Sequence, residues 1–213
     1  MRSFIVIGRT ATASPDFSLE DLPSSSGRLD VLLRCIRAAL LYSHGLRAEV
    51  RVYLVLRGGP LAPRVLRIEA ATARFIRPDE RSLALLVKKT IAAANDGLGR
   101  EFAEIRPGVS LARGDVDCVI SDLGGARLYL LDEQGSDVRE SGIGDQRENT
   151  DSAYFLGDHL GIEPKDRDHL ASLGAMAISV GPRSLHSDDA IVVLWNELDR
   201  REAPHGDRAS TRG

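Results

Sequence analysis

The sequence predicts an α/β fold, because short apolar runs alternate with stretches of helical periodicity. Three of the apolar runs, at residues 127–131, 153–156 and 176–180, are followed by loops that contain glycine. Strands that end in such loops at one edge of an α/β sheet often bind a nucleotide-like ligand there. Plain turns between strands explain the same pattern about as well, so both interpretations stay open at this point.

Each element follows from the local pattern. Apolar runs predict strands at residues 2–8, 49–57, 65–69, 109–112, 127–131, 153–156 and 175–180, with a short piece at 75–76. Helical spacing predicts helices at residues 27–45, 78–94, 115–123 and 163–173, and a final helix capped by Ser187. A segment rich in Ser, Thr, Pro and Asp predicts a loop at 10–26, and further loops are predicted at 97–107 and at the polar, glycine-containing residues 135–152. A tight acidic turn is predicted at 132–135. We expect residues 1–201 to form one domain and residues 202–213 a disordered polar tail.

Composition indicates a globular protein of the cytoplasm. A chain of 213 residues buries a substantial core, and no apolar run approaches the length of a membrane span. The only cysteines, Cys35 and Cys118, lack a partner motif, which favours a reducing compartment. The net charge of −3 combines an excess of six positive charges in residues 1–107 with nine negative in 108–213. The basic half suits a phosphate-binding face, although surface charge drifts along any chain.

Several common functional motifs are absent. The sequence has no GxxxxGK[ST] phosphate loop and no GxSxG elbow, and Gly142 and Gly144 lack the third glycine of a dinucleotide fingerprint. The five histidines have no metal-ligand spacing, so we expect no metal site.

Charged residues share helix faces at two places. Asp30, Arg34 and Arg37 lie on one face of the first long helix, either as a solvated ladder of ion pairs or as a carboxylate held among arginines at the rim of a site. Arg81 and Lys88 lie on one face of the helix at 78–94, either as solvated surface or as contacts to RNA phosphate. Spacing alone favours the solvated alternative in both cases.

A resemblance adds what spacing does not supply. Residues 21–47, 77–89, 128–138, 155–162 and 178–200 contain PSSSGRLD, RPDER, GDHLG and a segment with SLH. In this order they resemble the archaeal tRNA (pseudouridine-54-N1)-methyltransferases, a family of SPOUT-class knotted methyltransferases. The similarity extends from about residue 2 to residue 200. It implies a three-layer fold, with a mainly parallel sheet, helices on both faces and a C-terminal trefoil knot. It also implies a homodimer that acts on tRNA with S-adenosylmethionine.

The resemblance also implies which residues bind the cofactor. Some relatives carry cysteine where this chain has Ala190, so a thiol at that position is not required. The final helix would contact the partner subunit, with Trp195 as a candidate anchor. The implied cofactor-binding residues are Leu131, Gly157, Ser179, Val180, Gly181, Pro182, Arg183, Ser184, Leu185 and Ala190.

Methyl transfer to N1 of pseudouridine requires alignment of the reactants and removal of a proton. Asp30 is the candidate base, and Arg28 and Arg34 are candidate contacts to RNA phosphate or to the base. Three alternatives remain open. The same fold could modify ribosomal RNA or another base or ribose position, or the chain could be a non-catalytic RNA-binding dimer. Without the resemblance, the sequence would indicate only a nucleotide-binding α/β protein.

Overall fold

The computed structural model describes residues 1–94, 97–143 and 151–202. These residues form both strands and helices, with groups of strands separated by helices. The strands are β1 Arg2–Thr12, β2 Leu41–Tyr42, β3 Gly45–Leu46, β4 Val50–Gly58, β5 Arg64–Glu69, β6 Ala103–Arg106, β7 Val109–Arg113, β8 Arg127–Asp137, β9 Ser152–Gly157 and β10 Met176–Ser179. The helices are α1 Leu22–Ser25, α2 Leu29–Leu40, α3 Glu80–Ala93, α4 Val116–Leu123, α5 Pro164–Ser172 and α6 Ser187–Glu202.

The main sheet has a parallel half and an antiparallel half. Its order is β10-β8-β9-β1-β4-β5-β7-β6. The strands from β10 to β4 are parallel to one another, and β5, β7 and β6 continue the sheet with antiparallel pairing. Arg2 of β1 pairs with Val50 of β4 and with Ser152 of β9. These three parallel strands therefore begin at the same end of the sheet and finish at the opposite end.

Alternate side chains of β1 serve two separate cores. Phe4 and Val6 pack in the core that contains the apolar faces of α2, α3 and α6. Ile5 and Ile7 pack on the opposite face of the sheet with the apolar residues of α4 and α5. The predicted three-layer α/β architecture with a mainly parallel sheet is therefore confirmed. The trefoil knot stays a prediction from the resemblance.

Side-chain caps fix where two helices begin. The Asp79 carboxylate accepts a hydrogen bond from the Ser82 backbone N–H at 2.8 Å, at the start of α3. Asp115 accepts one from the Val116 N–H at 2.8 Å, at the start of α4. The predicted starts at Pro78 and Asp115 are thus close to the observed ones.

Regular structure also occurs where polar sequence predicted loops. β1 continues to Thr12, which pairs with Gly58, and α1 forms within the predicted loop at 10–26. β6 lies inside the predicted loop at 97–107 and pairs with β7 at the outer edge of the sheet. An edge strand buries little surface, and the four residues of β6 are all partly or fully exposed. They therefore lack the apolar pattern that marks a central strand.

Other predicted boundaries are wrong. In place of a tight turn at 132–135, β8 continues to Asp137, and its register against β10 shifts between Leu130 and Ser136. The pair 75–76 forms no strand. The helix predicted to reach Gly45 ends at Leu40, because a small β2–β3 hairpin follows it. Glu202, expected in the tail, belongs to α6, and residues 203–213 lie outside the described residues.

The prediction of Trp195 as a dimer anchor is wrong, because this side chain is part of the chain's own core. It is 4% exposed, and its indole N–H donates to the Ala39 carbonyl at 3.1 Å. Its ring packs against Phe4 with 5.3 Å between centroids, and the Arg47 guanidinium lies 3.9 Å from its centroid. The apolar stripe of α6 is therefore buried within the protomer.

Candidate functional site

A cavity of about 550 Å³ opens at the end of β9, the end of β10 and the irregular part of β8. Residues of α2 and α6 complete its wall. Pockets of this size hold small organic ligands. Of the predicted cofactor-binding residues, Pro182 is not part of the wall. The others line the cavity: Leu131, Gly157, Ser179, Val180, Gly181, Arg183, Ser184, Leu185 and Ala190.

The loop after β9 is held in place from two sides. Asp158 is buried, and its carboxylate accepts backbone N–H bonds from Arg9 at 2.7 Å and Leu160 at 2.8 Å. The Gly157 carbonyl accepts a hydrogen bond from the Ser187 hydroxyl at 2.6 Å. Ser187 is thus the first residue of α6 and ties this helix to the loop, rather than capping the helix as predicted. A Cβ on Gly157 would lie 2.3 Å from the Gly161 carbonyl carbon, so the loop requires glycine at this position.

The other two loops are shaped by close backbone approach and by one hydroxyl. A Cβ on Gly135 would lie 2.4 Å from the Ile178 backbone nitrogen, so β8 meets β10 closely only because position 135 is glycine. The preceding residues Leu131, Asp132 and Glu133 line the cavity. After β10, the Ser179 hydroxyl donates to the Gly181 carbonyl at 2.7 Å, which fixes the start of that loop.

Asp30 joins two arginines at the rim of the cavity. Arg28 contacts both carboxylate oxygens, through Nε at 3.0 Å and Nη2 at 3.1 Å, and Arg34 Nη1 contacts Oδ2 at 3.1 Å. Arg34 also lies 3.5 Å from a carboxylate oxygen of Asp188 on α6. Arg28 and Arg34 line the cavity, whereas Asp30 is buried behind them. Arg28 directly precedes the first residue of α2, and its φ of 66° lies in the left-handed region.

The protonation of Asp30 reflects two opposing effects. Burial raises the pKa of the Asp30 carboxyl, but the hydrogen bonds from Arg28 and Arg34 outweigh burial, and the net pKa is lowered. The carboxylate therefore carries its negative charge at neutral pH and binds a proton weakly. This arrangement matches the predicted carboxylate held among arginines at the rim of a site, and Arg37 forms none of these contacts.

Several lining residues were not predicted from the sequence. Asp189, in the first turn of α6, was interpreted only as a helix-start signal, yet it lines the cavity. His159 and His186 also contribute to the wall, although no functional partner was predicted for either histidine. Across residues 1–94, 97–143 and 151–202, no cluster of His, Cys, Asp and Glu could hold a metal ion. Over the same ranges, no helix is both long and apolar enough to cross a membrane.

Lys88 contacts the segment that follows β1. Its ammonium donates to the Phe17 carbonyl at 2.5 Å and lies 5.1 Å from the Phe17 ring centroid. Lys88 therefore fastens α3 to the segment after β1, a contact that the sequence did not predict.

The chain was compared with known proteins. Residues 1–203 match a family described as "SAM-dependent RNA methyltransferase". The chain is 41% identical over 207 residues to the tRNA (pseudouridine(54)-N(1))-methyltransferase of Methanosarcina acetivorans, covering 97% of this chain and 95% of the relative. The enzyme of that name from Halobacterium salinarum is 36% identical over 199 residues, covering 93% and 96%.

A solved structure has a similar fold. Nep1 from Archaeoglobus fulgidus, bound to S-adenosylhomocysteine, superposes with a TM-score of 0.65 at 14% identity, covering 94% of this chain and 98% of that one. The resemblance first noted in short segments thus extends over nearly the whole chain. The protein belongs to the family of S-adenosylmethionine-dependent RNA methyltransferases that includes the archaeal tRNA (pseudouridine(54)-N(1))-methyltransferases.

Proposed function

We propose that this protein transfers a methyl group from S-adenosylmethionine to N1 of pseudouridine 54 in the T-loop of tRNA. The observation that carries this proposal is a cavity of about 550 Å³ formed by three loops, with Arg28 and Arg34 at its rim, in a chain whose relatives have that activity by name. The protein's task in such a reaction is to bind, orient and shield the reactants.

The lining residues suit the proposed cofactor. S-adenosylmethionine supplies an electrophilic methyl group on a positively charged sulfonium, together with an adenine, a ribose and an ammonium group. Leu131, Leu156 and Ile178 offer an apolar surface for a flat ring. Glu133 and Asp189 offer negative charge for the cationic groups, and the backbone of the loops offers polar partners. We assign cofactor binding to the loops that begin at Leu131, Gly157 and Ser179, and to Ala190.

We revise the role of Asp30 from base to positioning residue. Both its oxygens are engaged by guanidinium groups, and its pKa is lowered after the opposing effect of burial. Such a carboxylate orients Arg28 and Arg34, which are 41% and 39% exposed and available to the target nucleotide. Glu133 and Asp189 form no ion pair among the described residues and are the lining carboxylates available to accept the N1 proton.

The assembly and location follow from the same proposal. We infer a homodimer formed through the outer face of α6 and the loop before it. Leu185 and Val192 are 43% and 55% exposed there, and a partner subunit would cover them. A dimer at this face would place one protomer's surface next to its partner's cavity. The tRNA substrate would place the enzyme in the cytoplasm, and residues 1–201 would act as one domain.

Two tRNA transcripts that differ only in uridine or pseudouridine at position 54 test the proposed reaction. Incubation with methyl-labelled cofactor should label only the pseudouridine transcript, and nuclease digestion with mass spectrometry should locate the methyl group on N1. Label on ribosomal RNA, on ribose or on another base would contradict the assigned position. Folded protein that binds no cofactor would instead favour a non-catalytic RNA-binding module.

Asp30→Asn separates the positioning role from the base role. With Asp30 as positioning residue, the variant should raise KM for tRNA, keep cofactor affinity, and keep the pH dependence of kcat. If Asp30 were the base, kcat itself would fall and the limb of its pH profile that reports the base would disappear. Asp30→Glu, which retains the charge, should restore part of the tRNA affinity.

A further inference from the structure

One aromatic side chain stands out on the surface. Phe75 is 88% exposed, and its φ of 63° lies in the left-handed region that bulky residues rarely adopt. Holding a phenylalanine in that conformation costs free energy, because its Cβ is crowded by the backbone. Because the ring is exposed, its burial in the core does not offset this cost within the isolated protomer.

The segment that carries Phe75 is anchored at its base. We name residues 70–79, between β5 and α3, the Phe75 loop. The Ala70 N–H donates to the Val50 carbonyl at 3.0 Å, and the Ala73 N–H donates to the Glu69 carbonyl at 2.8 Å. Gly108 packs so closely that a Cβ there would lie 2.2 Å from the Ala73 nitrogen. The ring of Phe75 is therefore held outward by a fixed turn.

Three arginines lie close to Phe75 in the sequence. Arg74, Arg77 and Arg81 are exposed, and among the described residues none of them forms an ion pair. Arginines elsewhere behave differently: Arg57 contacts three carboxylates and Arg51 contacts Glu69. The nearby Asp79 carboxylate is occupied with the Ser82 N–H, although it also experiences the charge of Arg77. Arg74, Arg77 and Arg81 outnumber the neighbouring carboxylates of Asp79 and Glu80, so the segment presents a net positive charge next to an exposed phenylalanine.

We propose that the Phe75 loop is a second RNA-binding surface, on which Phe75 stacks against an unpaired base while the flanking arginines contact phosphates. This combination of an aromatic platform and cations is the one that single-stranded and looped RNA recognises. A protein bound at this surface would instead need carboxylates to pair with several arginines and an apolar pocket to cover the outer face of the ring. The inference rests on the proposed function, because it takes RNA as the substrate, and it adds where the RNA is held outside the cavity.

The Phe75 loop and the cavity lie at opposite ends of the parallel strands. The loop is at the end where β1 and β4 begin, and the cavity is at the end where β1 and β9 finish. The loop begins beside Val50, which pairs with Arg2, whereas Gly157 pairs with Ile7 at the other end of β1. Five strand residues separate these ends by roughly 17 Å. Phe75 therefore holds a part of the RNA distinct from the nucleotide at the cavity, of the same tRNA or across a dimer.

Fluorescence anisotropy with a full-length tRNA transcript and S-adenosylhomocysteine tests the proposal without turnover. Phe75→Ala should weaken binding roughly 5- to 100-fold, the range found when a stacking side chain is removed. Phe75→Trp should bind as the original protein does, and its introduced indole should be quenched by RNA. The matched control is Leu173→Ala, because Leu173 is also exposed, at 45%, and should be dispensable. Equal affinity of Phe75→Ala and the original protein would overturn the proposal.

Salt titration separates stacking from charge. Arg77→Gln should reduce the slope of log affinity against log salt by about 0.7–0.9, whereas Phe75→Ala should leave that slope unchanged. Light scattering reports the alternative of a protein contact. If Phe75→Ala changes the oligomeric state while tRNA affinity per active site stays constant, the loop is a protein interface and the proposal is wrong.

Methyl transfer distinguishes this inference from the proposed function. At saturating tRNA, Phe75→Ala should reach the kcat of the original protein. If the original protein transfers no methyl group to N1 yet binds tRNA through Phe75, the proposed function fails and the inference stands. If it methylates N1 and Phe75→Ala binds tRNA normally, the inference fails and the proposed function stands. Phe75→Gly, which relieves the left-handed strain, should lose the same affinity with unchanged or higher Tm.

Discussion

The arginines at the cavity and the arginines of the Phe75 loop differ in how they are held. At the cavity, Arg28 and Arg34 are fixed by Asp30 and Asp188, and their guanidinium groups have defined directions. At the end of the sheet that carries the Phe75 loop, Arg74 and Arg81 are exposed, with no ion pair among the residues described. Paired arginines suit one small target whose position must be exact to within a bond length, because their geometry is set in advance. Unpaired arginines suit a polyanion, because each releases counterions from phosphate wherever it contacts the strand.

The largest expected effect concerns the backbone of the cavity. Gly157→Ala should lower stability by about 3 kcal/mol, because the added Cβ meets backbone that has no space to move. It should also weaken S-adenosylhomocysteine binding at least about tenfold, measured by calorimetry. Gly99→Ala is the matched control, since its Cβ would meet nothing within 4 Å. Normal cofactor affinity in a folded Gly157→Ala protein would contradict the assignment of this loop to the cofactor.

Removal of the charge that pairs the arginines ranks second. Asp30→Asn should cost about 2 kcal/mol of unfolding free energy at pH 7, measured by urea titration, because the carboxylate side chain is only 5% exposed. The folded-state pKa of Asp30 lies below its unfolded value of about 3.9. The stabilisation is therefore complete above that value and is lost as the pH falls through the folded-state pKa. If the difference in unfolding free energy between the original protein and Asp30→Asn grew on acidification, the assigned pairing of Asp30 with Arg28 and Arg34 would be wrong.

A single hydroxyl gives a smaller effect at the cavity. Ser187→Ala removes the 2.6 Å hydrogen bond to the Gly157 carbonyl and should cost about 1 kcal/mol in thermal or urea unfolding. Cofactor affinity should fall by a few-fold, because the loop after β9 loses its tie to α6. Ser187→Thr keeps the donor and should restore both quantities. Failure of threonine to rescue would mean that residue volume, not the hydrogen bond, controls the loop.

The smallest effect on stability is expected at the opposite end of the sheet. Arg81→Gln should change the unfolding free energy by less than about 0.5 kcal/mol, since this exposed side chain forms no ion pair within the described part of the chain. It should nevertheless lower tRNA affinity and the salt slope, as the Arg77 change does. Arg200→Gln, also exposed but at the end of α6, is the matched control. If Arg81→Gln destabilised the protein as much as Asp30→Asn, the contrast between the two groups of arginines would not hold.

The sequence predicted the strands that have an apolar run and missed β6 and the end of β1, which have none. The run at 153–156 is continuous and apolar because its strand lies between two others. β6 is an edge strand with no apolar pattern, and the extension of β1 to Thr12 depends on pairing with Gly58, which no local signal reports. Residues 131–135 interrupt the register between β8 and β10, and the turn residues Asp132 and Gly135 lie among them, so the sequence indicated a turn. Only the contact with β10 keeps both halves of β8 in one strand.

The candidate site was predicted as separate loops and one helix, and the structure joins them. Glycines after apolar runs indicated the loops, and the spacing of Asp30 and Arg34 indicated one of their contacts. The contact of Arg34 with Asp188 joins α2 to α6, which lie far apart in the sequence, so periodicity could not reveal it. The rare φ of Phe75 also has no sequence signature, because the loop is fixed by Val50 and Gly108 from distant segments.

The central place of β1 has a consequence for how the protein is made. Its neighbour β4 follows within the first third of the chain. Its other neighbour, β9, in which Gly157 pairs with Ile7, begins only at Ser152. A ribosome that adds about 5–20 residues per second needs on the order of 10 s to bridge that interval. During this time the nascent N-terminal half has one open strand edge and an apolar face carrying Ile5 and Ile7, a surface that chaperones bind and that aggregates form on. Expression at lower temperature or with added chaperone is therefore expected to increase the soluble yield more than a stabilising substitution near the C terminus would.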